Sequence, residues 1–403
     1  MSGSPDPLKN VLAIMPSDPQ LCSSVRAPLR TAPSIRSIDY DACIRDLGIP
    51  GTVEMILRTV SERDISAVFI TFFGDSYHLP LEALLRIREK AALVVWAYDD
   101  DLYFDVHGKY YAQAAHAVVT TDYFSLASYR RLGIPAVFHV GAISKEAIHP
   151  VQAAKDIDVS FVGDCRKSDR LEQLRFLEGR GLEVEYFGAG SPRGKVSSEE
   201  MCSIFSRSRI SLNFTKLDDL SWINGDDPIL NRTRQGKARP VELAMARSFC
   251  LSEYAPSLPV LFDVGREIDC FQDKESLLEK VRFHLDRAEE REAMAERAYR
   301  RALAEYEEEP QMRRIFGELR ALLSSGAPAP ATCYRSPRFQ QRQVNVLFVY
   351  CLASLGRGNV RFALETLPSL FQYGLGTLLA GCAKGLFRAS ALVCRRLFGP
   401  DSR

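Results

Sequence analysis

At 403 residues the chain is long enough for two ordinary domains and an appendage. Its 46% hydrophobic and 26% charged residues describe a globular protein and exclude a disordered one. A formal net charge of +1 leaves no whole-chain field to recruit nucleic acid, so no nucleic-acid partner is expected and any electrostatic specialisation is local. The ten cysteines are scattered, form no C-x-x-C pair and in places sit inside apolar runs such as SFCLSE. That usage fits free thiols in a reducing compartment. The start MSGSPDPLKN has neither the charged beginning nor the apolar core of a signal peptide, and a cytoplasmic location is expected.

In chain order, VLAIM (11–15), AVFITFF (67–73), LVVWAY (93–98), AVVTT (117–121) and AVFHV (136–140) are near-continuous apolar runs, as strands covered on both faces require. Residues 52–63 and 79–90 between them have helical spacing. The alternation predicts a doubly wound α/β domain over 1–152. A second series then begins: strand IDVSFVG (157–163), helix LEQLRFLEGRG (171–181), strand VEYFG (184–188) and helix SSEEMCSIFSRS (197–208), with Ser197 or Ser198 as its cap. Strand RISLNFT (209–215), helix PVELAMAR (240–247) with Pro240 in its first turn, strand FCLSE (249–253) and a largely helical 274–309 complete it. This second α/β domain spans 153–321. A Ser/Pro/Ala-rich linker, 322–338, leads to a basic, apolar tail over 339–403.

Several clusters suggest chemistry. Gly163 ends a strand and is followed by Arg166, Lys167 and Arg170 at a helix start, an arrangement able to cradle a phosphate. Lys237 and Arg239 lie beside another helix N-terminus, where free N–H groups and cations favour a diphosphate. GAGSPRG (188–194) has the spacing G-x-G-x-x-x-G, which is not the dinucleotide fingerprint, and reads as a turn-rich loop. Asn213 ends a strand, facing either the ligand or a backbone partner. Asp99, Asp100 and Asp101 follow LVVWAY; Asp100 is a candidate general base, with a helix cap as the competing role. His78, just after AVFITFF, is the other candidate base. The six histidines show no H-x-x-x-H or H-E-x-x-H spacing, and no metal site is expected.

The blocks YRRLGIPAVFHVGA (129–142), KDIDVSFVGDCRKSDRLEQL (155–174), RISLNFT, KARPVELAMARSFCLSEY and LFDVGREIDCFQDKESLLEKV, in that order, resemble the CgeB-like (spore maturation protein type) glycosyltransferases. The resemblance covers roughly residues 60–320. It implies the GT-B fold, two Rossmann-like domains facing across a cleft, and metal-independent transfer of a sugar from a nucleoside diphosphate sugar. The donor would be a substrate, with no separate cofactor. The resemblance places Glu242 on the donor's ribose hydroxyls, which an ionised carboxylate can accept as a pair, and Arg239 near the diphosphate. Related sequences often carry a Cys-Gly or similar small pair where this chain has Arg247-Ser248. A glycan, lipid or protein acceptor on the first domain is expected, with a glycan or lipid-linked acceptor in polysaccharide assembly as the expected partner. The competing reading is a GT-B-fold protein that binds a nucleotide sugar without turning it over.

The stretch 335–403 has ten arginines and lysines against Glu365 and Asp401. Its longest uncharged run, TLPSLFQYGLGTLLAGCA (366–383), is interrupted by Pro368, Gln372 and glycines. The tail reads as helices lying on an anionic membrane at its inner face, or as an appendage packed on the enzyme or on a partner.

Overall fold

The computed structural model describes residues 6–15, 35–72, 79–217, 234–326, 337–356, 358–371, 374–383 and 386. The first domain is a sheet of six parallel strands: β1 (Val11–Met15), β2 (Ile35–Asp39), β3 (Ala67–Phe72), β4 (Ala92–Ala97), β5 (Ala117–Thr120) and β6 (Ala136–Phe138). Their order is β2-β1-β3-β4-β5-β6. The second domain is a five-stranded parallel sheet, β7 (Ile157–Val162), β8 (Val184–Phe187), β9 (Ser208–Asn213), β10 (Cys250–Glu253) and β11 (Asp269–Phe271), ordered β11-β10-β9-β7-β8.

The helices of the first domain are α1 (Tyr40–Glu62), α2 (Leu81–Arg88), α3 (Asp100–Tyr103), α4 (Lys109–Ala112) and α5 (Tyr123–Arg131); a π-helical turn, Phe104–Gly108, joins α3 to α4. The second domain carries α6 (Arg170–Glu178), α7 (Ser198–Arg207), α8 (Arg239–Met245), α9 (Leu258–Leu261), α10 (Lys274–Asp286) and α11 (Ala288–Arg301). Ser197 caps α7 in a full capping box with Glu200, as the Ser-x-x-Glu spacing predicts. Apolar side chains pack on both faces of each sheet, so that the strands read as unbroken apolar runs.

Three features depart from the sequence pattern. Strand β2 was not foreseen, because IRSID is a half-exposed edge strand with only two apolar residues. Helix α1 begins well before residue 52 and bends at Gly48 (φ 69°), two residues ahead of Pro50. The third concerns the domain boundary. Helix α12 (Glu308–Ser324) follows the second domain in sequence but packs on the first: Met312, Ile315, Phe316 and Leu319 join the cluster of Val11, Phe69 and Trp96. Phe316 stacks on Phe69 at 5.8 Å. The chain therefore crosses between domains twice, at 139–143 and 302–307. The crossings touch through an Ile143–Glu307 bridge, and the buried Gln311 ties them: its Nε2 donates to the carbonyls of Gly141 (2.8 Å) and Tyr306 (3.2 Å).

The tail also joins the first domain. Helix α13 (Pro337–Gly356) stacks Phe339 on Tyr110 at 4.3 Å and buries Val344, Leu347 and Cys351 in the core that contains Ile44 and Ile56. Gln343 Nε2 donates to the Tyr111 hydroxyl at 2.8 Å. Helix α14 (Val360–Phe371) adds Ala363 and Leu370 to that cluster or its surroundings. Among the described residues no helix is long and apolar enough to cross a membrane.

Candidate functional site

Ligands of open α/β sheets bind outside the carboxyl ends of the strands, and here those ends face each other. Gln235, whose N–H donates to the Thr215 carbonyl just beyond β9, directs its side-chain amide across the gap to the turn after β4. Its Nε2 donates to Asp99 Oδ1 at 2.7 Å and to Asp101 Oδ1 at 3.1 Å. Asp99 holds a left-handed backbone, φ 54°, which is uncommon for a residue with a Cβ and costs on the order of 1 kcal/mol or more. Its N–H is anchored on Thr121 Oγ1 at 3.2 Å.

This turn separates the three adjacent carboxylates. Asp100 is only 1% exposed; its Oδ2 accepts from Thr120 Oγ1 (2.6 Å) and the Tyr129 hydroxyl (2.9 Å). Burial pushes its carboxyl up to about 7, against the lowering effect of those two hydroxyls. Asp100 thus fastens α3 and α5 to the sheet, and it is Asp99 and Asp101 that reach the opposite domain. Burial, then the Asp99 charge, hold the Asp101 carboxyl well above the usual range. Asp101 Oδ2 is buried with no hydrogen-bond partner. His78 lies outside the described residues.

On the second domain the predicted residues fall into two neighbouring groups. Gly163 follows β7, and its carbonyl lies so close to Gly188 (φ 114°) that a Cβ there would sit 2.0 Å from the oxygen. GAGSPRG is accordingly a loop packed against the 163–169 loop, where Cys165 N–H donates to the Ala189 carbonyl at 2.8 Å. Arg166 clamps Asp164 through two 3.0 Å bonds and lowers that carboxyl's pKa. Arg170 is buried, stacks over Phe161 at 5.8 Å and donates to the Asp164 carbonyl at 3.1 Å. Arg166 and Arg170 therefore brace the loop, while Lys167 is exposed at its surface. Asp169, which precedes α6, makes no cap to the helix; it pairs with Lys216 at 2.6 Å, so the first N–H groups of α6 have no side-chain cap.

The second group opens α8. Glu242 and Arg239 form an ion pair at 2.5 Å, each about a quarter exposed. Glu242 Oε2 is buried and lacks an aligned hydrogen-bond donor. Arg239 also lies over the Phe205 ring at 5.5 Å. Lys237 lies between the groups: desolvation lowers its pKa, with Asp99 and Asp101 acting against that shift and Lys167 and Arg170 adding to it. The two basic segments foreseen separately thus converge on one part of the cleft. Asn213 is turned inward, donating from Nδ2 to Ser252 Oγ at 2.8 Å. Beside it, the unforeseen Glu253, 2% exposed, accepts from the N–H groups of Thr215 and Lys216, both at 2.8 Å, and shapes the loop after β9. Among the described residues no three His, Cys, Asp or Glu side chains are grouped to hold a metal ion.

Arg247 takes the left-handed conformation (φ 55°) just past the end of α8, a position favouring glycine. Its side chain pairs with Glu296 on α11 at 2.6 Å. The departure from a small pair therefore sits at the opposite end of α8 from Glu242. Arg247→Gly relieves a backbone cost of roughly 1–2 kcal/mol and loses a surface pair worth about 0–1 kcal/mol, with added freedom in the unfolded chain. The expected result is a stability within about 1 kcal/mol of the parent in urea titration, with unchanged affinity for any cleft ligand.

Residues 145–317 match the family described as glycosyl transferase-like. Among solved structures the chain is similar to a glycosyltransferase of Rickettsia africae (TM-score 0.55, 8% identity, 79% of this chain and 99% of that one). It is also similar to Anabaena HepE in complex with UDP and glucose (TM-score 0.52, 12% identity, 78% and 99%). A third similar structure is the sucrose-phosphate synthase of Thermosynechococcus elongatus (TM-score 0.52, 11% identity, 74% and 83%). No curated protein matches the sequence. The fold is GT-B: two Rossmann-like parallel sheets, with a helical C-terminal region.

Proposed function

We propose that the chain transfers a sugar from a nucleoside diphosphate sugar held on the second domain to a glycan or lipid-linked acceptor held on the first. The observation that carries this reading is the convergence of Lys167, Arg170 and Lys237 on one part of the cleft, next to Glu242 and Arg239 and opposite Asp99 and Asp101. An anion entering there is attracted by all three cations. The uncapped start of α6 adds N–H donors on the same side. The glycosyl transferase-like match and a similar structure bound to UDP and glucose support the same ligand class.

In this reading Glu242 accepts the ribose hydroxyls, and Arg239 turns from its ion pair toward the diphosphate. Lys167 and Lys237 stabilise the charge that grows on the leaving diphosphate as the glycosidic bond breaks. Asp101 receives the proton of the attacking acceptor hydroxyl, since it is the carboxyl at the domain junction with an unpartnered buried oxygen. Gln235 positions it and closes the cleft against water.

Asp101→Asn is expected to lower kcat by about 100- to 10,000-fold and to leave donor affinity within about threefold. The wild-type rate should rise with pH through a limb above the ordinary carboxylate range, and the variant should lack that limb. Equal turnover by wild type and variant would remove Asp101 from the mechanism. Donor binding without turnover in either protein would instead favour the non-catalytic reading.

A further inference from the structure

The tail divides into a docked part and an outward part. Helix α13 uses its apolar face on the first domain, and α14 buries Ala363 and Leu370. On α14, Val360, Leu364, Leu367 and Phe371 follow the spacing i, i+4, i+7, i+11, which puts them in one stripe. They are 52%, 59%, 38% and 67% exposed. Beyond Gly374 the chain is helical again over 375–383. There Leu378 and Cys382 pack against the first-domain core. Gly381 sits so close to α13 that a Cβ would lie 2.5 Å from Val344 Cγ1. That seating leaves Leu375, Leu379 and Leu386 outward, 71%, 63% and 56% exposed.

Single exposed apolar side chains are ordinary, but a run of seven along consecutive helical segments is not. The charge around them is one-sided. Residues 357–403 contain seven arginines and lysines against Glu365 and Asp401, in a chain whose whole net charge is +1. The rest of the chain is therefore net acidic; within the apolar stretch the charges are Arg361, paired with Glu365 at 2.8 Å, and Lys384, and four arginines, Arg388, Arg395, Arg396 and Arg403, follow Leu386 in the sequence.

We propose that the face running from Val360 to Leu386 lies on an anionic lipid bilayer as a peripheral anchor. Leucine, valine and phenylalanine enter the boundary between headgroups and acyl chains, while the basic residues that flank this stretch in the sequence meet anionic headgroups. The net positive charge of residues 357–403 favours anionic lipid over a second copy, because two such tails would repel each other. No described helix is long and apolar enough to cross a bilayer, and the proposed contact is with its surface. Since α13 and α14 ride on the first domain, that domain is the one brought to the lipid. The inference stands on the tail alone, whatever the cleft binds.

The test is co-flotation of the full chain with vesicles of phosphatidylcholine alone or mixed with phosphatidylglycerol, at low and high salt. Binding is expected to be on the order of tenfold stronger to the anionic vesicles and weakened by salt. The combined variant Leu364→Asp/Leu375→Asp/Leu379→Asp should lose it, whereas Leu132→Asp, the same change at an exposed site on the first domain, should retain it. Equal melting curves establish that the combined variant is folded, and the comparison between lipid compositions needs no variant. Absence of flotation, equal binding to neutral vesicles, or retention by the combined variant would overturn the proposal. So would a dimer in light scattering that the combined variant disperses without any vesicle binding.

Discussion

Glu242→Ala is expected to weaken binding of a nucleoside diphosphate sugar by about 10- to 100-fold, the range of one or two hydrogen bonds to a charged group. The melting temperature should move little. Glu242 is partly exposed and its described ion-pair partner, Arg239, is partly exposed as well, so breaking the pair leaves no fully buried unpaired charge. The Arg239 guanidinium keeps its place over Phe205. Isothermal titration with the tightest-binding donor reads the affinity, and Arg239→Ala should lose affinity for a nucleoside diphosphate without its sugar as well. An alanine variant that binds donor like the wild type would show that the carboxylate has no contact with it.

The second large effect concerns stability against pH. Asp100 has a folded pKa of about 7 against an ordinary 3.8, because burial disfavours its charged form. Its contribution is fully present below about pH 4 and is lost as pH rises through 7, by about 4 kcal/mol at most. His139 acts in the opposite sense. It is buried beneath Trp96, and burial lowers its pKa from 6.5 to about 4. Its contribution is present above 6.5 and lost as pH falls toward 4. His116 is lowered to about 4 in the same way, by burial and then by Arg88. The wild type therefore balances two opposing slopes between pH 4 and 7. Asp100→Asn keeps an oxygen for Thr120 and Tyr129 and removes one slope. The falling slope of Asp101 remains in both proteins, so it is the stability of the variant relative to the wild type that should grow from pH 4 to 7 and reach a few kcal/mol at pH 8. Urea titrations at acid, neutral and mildly alkaline pH check this; parallel profiles for the two proteins would contradict it.

Much of the architecture was legible because parallel strands covered on both faces must be apolar throughout, as VLAIM and LVVWAY are. IRSID escaped because an edge strand needs little apolar surface. The crossing of α12 escaped for another reason: the helical reading stopped at 309, and an apolar stripe does not say which sheet it covers. At the candidate site, the resemblance singled out Glu242 and Arg239, three residues apart at the start of a helix, and the loop after β7 was singled out by its charges. Which of three consecutive aspartates points inward was not. A turn into α3 fans them apart, and only the hydroxyls of Thr120 and Tyr129, 20 and 29 residues away, show that Asp100 is the inner one. Gln235 left no signal at all, since an uncharged amide in a basic stretch marks no chemistry until the opposite domain is in place.

The central claim is that the cleft holds a nucleoside diphosphate sugar, and a thermal-shift panel of UDP-, GDP- and dTDP-sugars on the full chain tests it most directly. One donor should stabilise the protein, by about 2.7 kcal/mol when its free concentration is about 100 times its dissociation constant, and Glu242→Ala should abolish most of that shift. No stabilisation by any of these donors, with the protein folded and the ligands in large excess, would contradict the account.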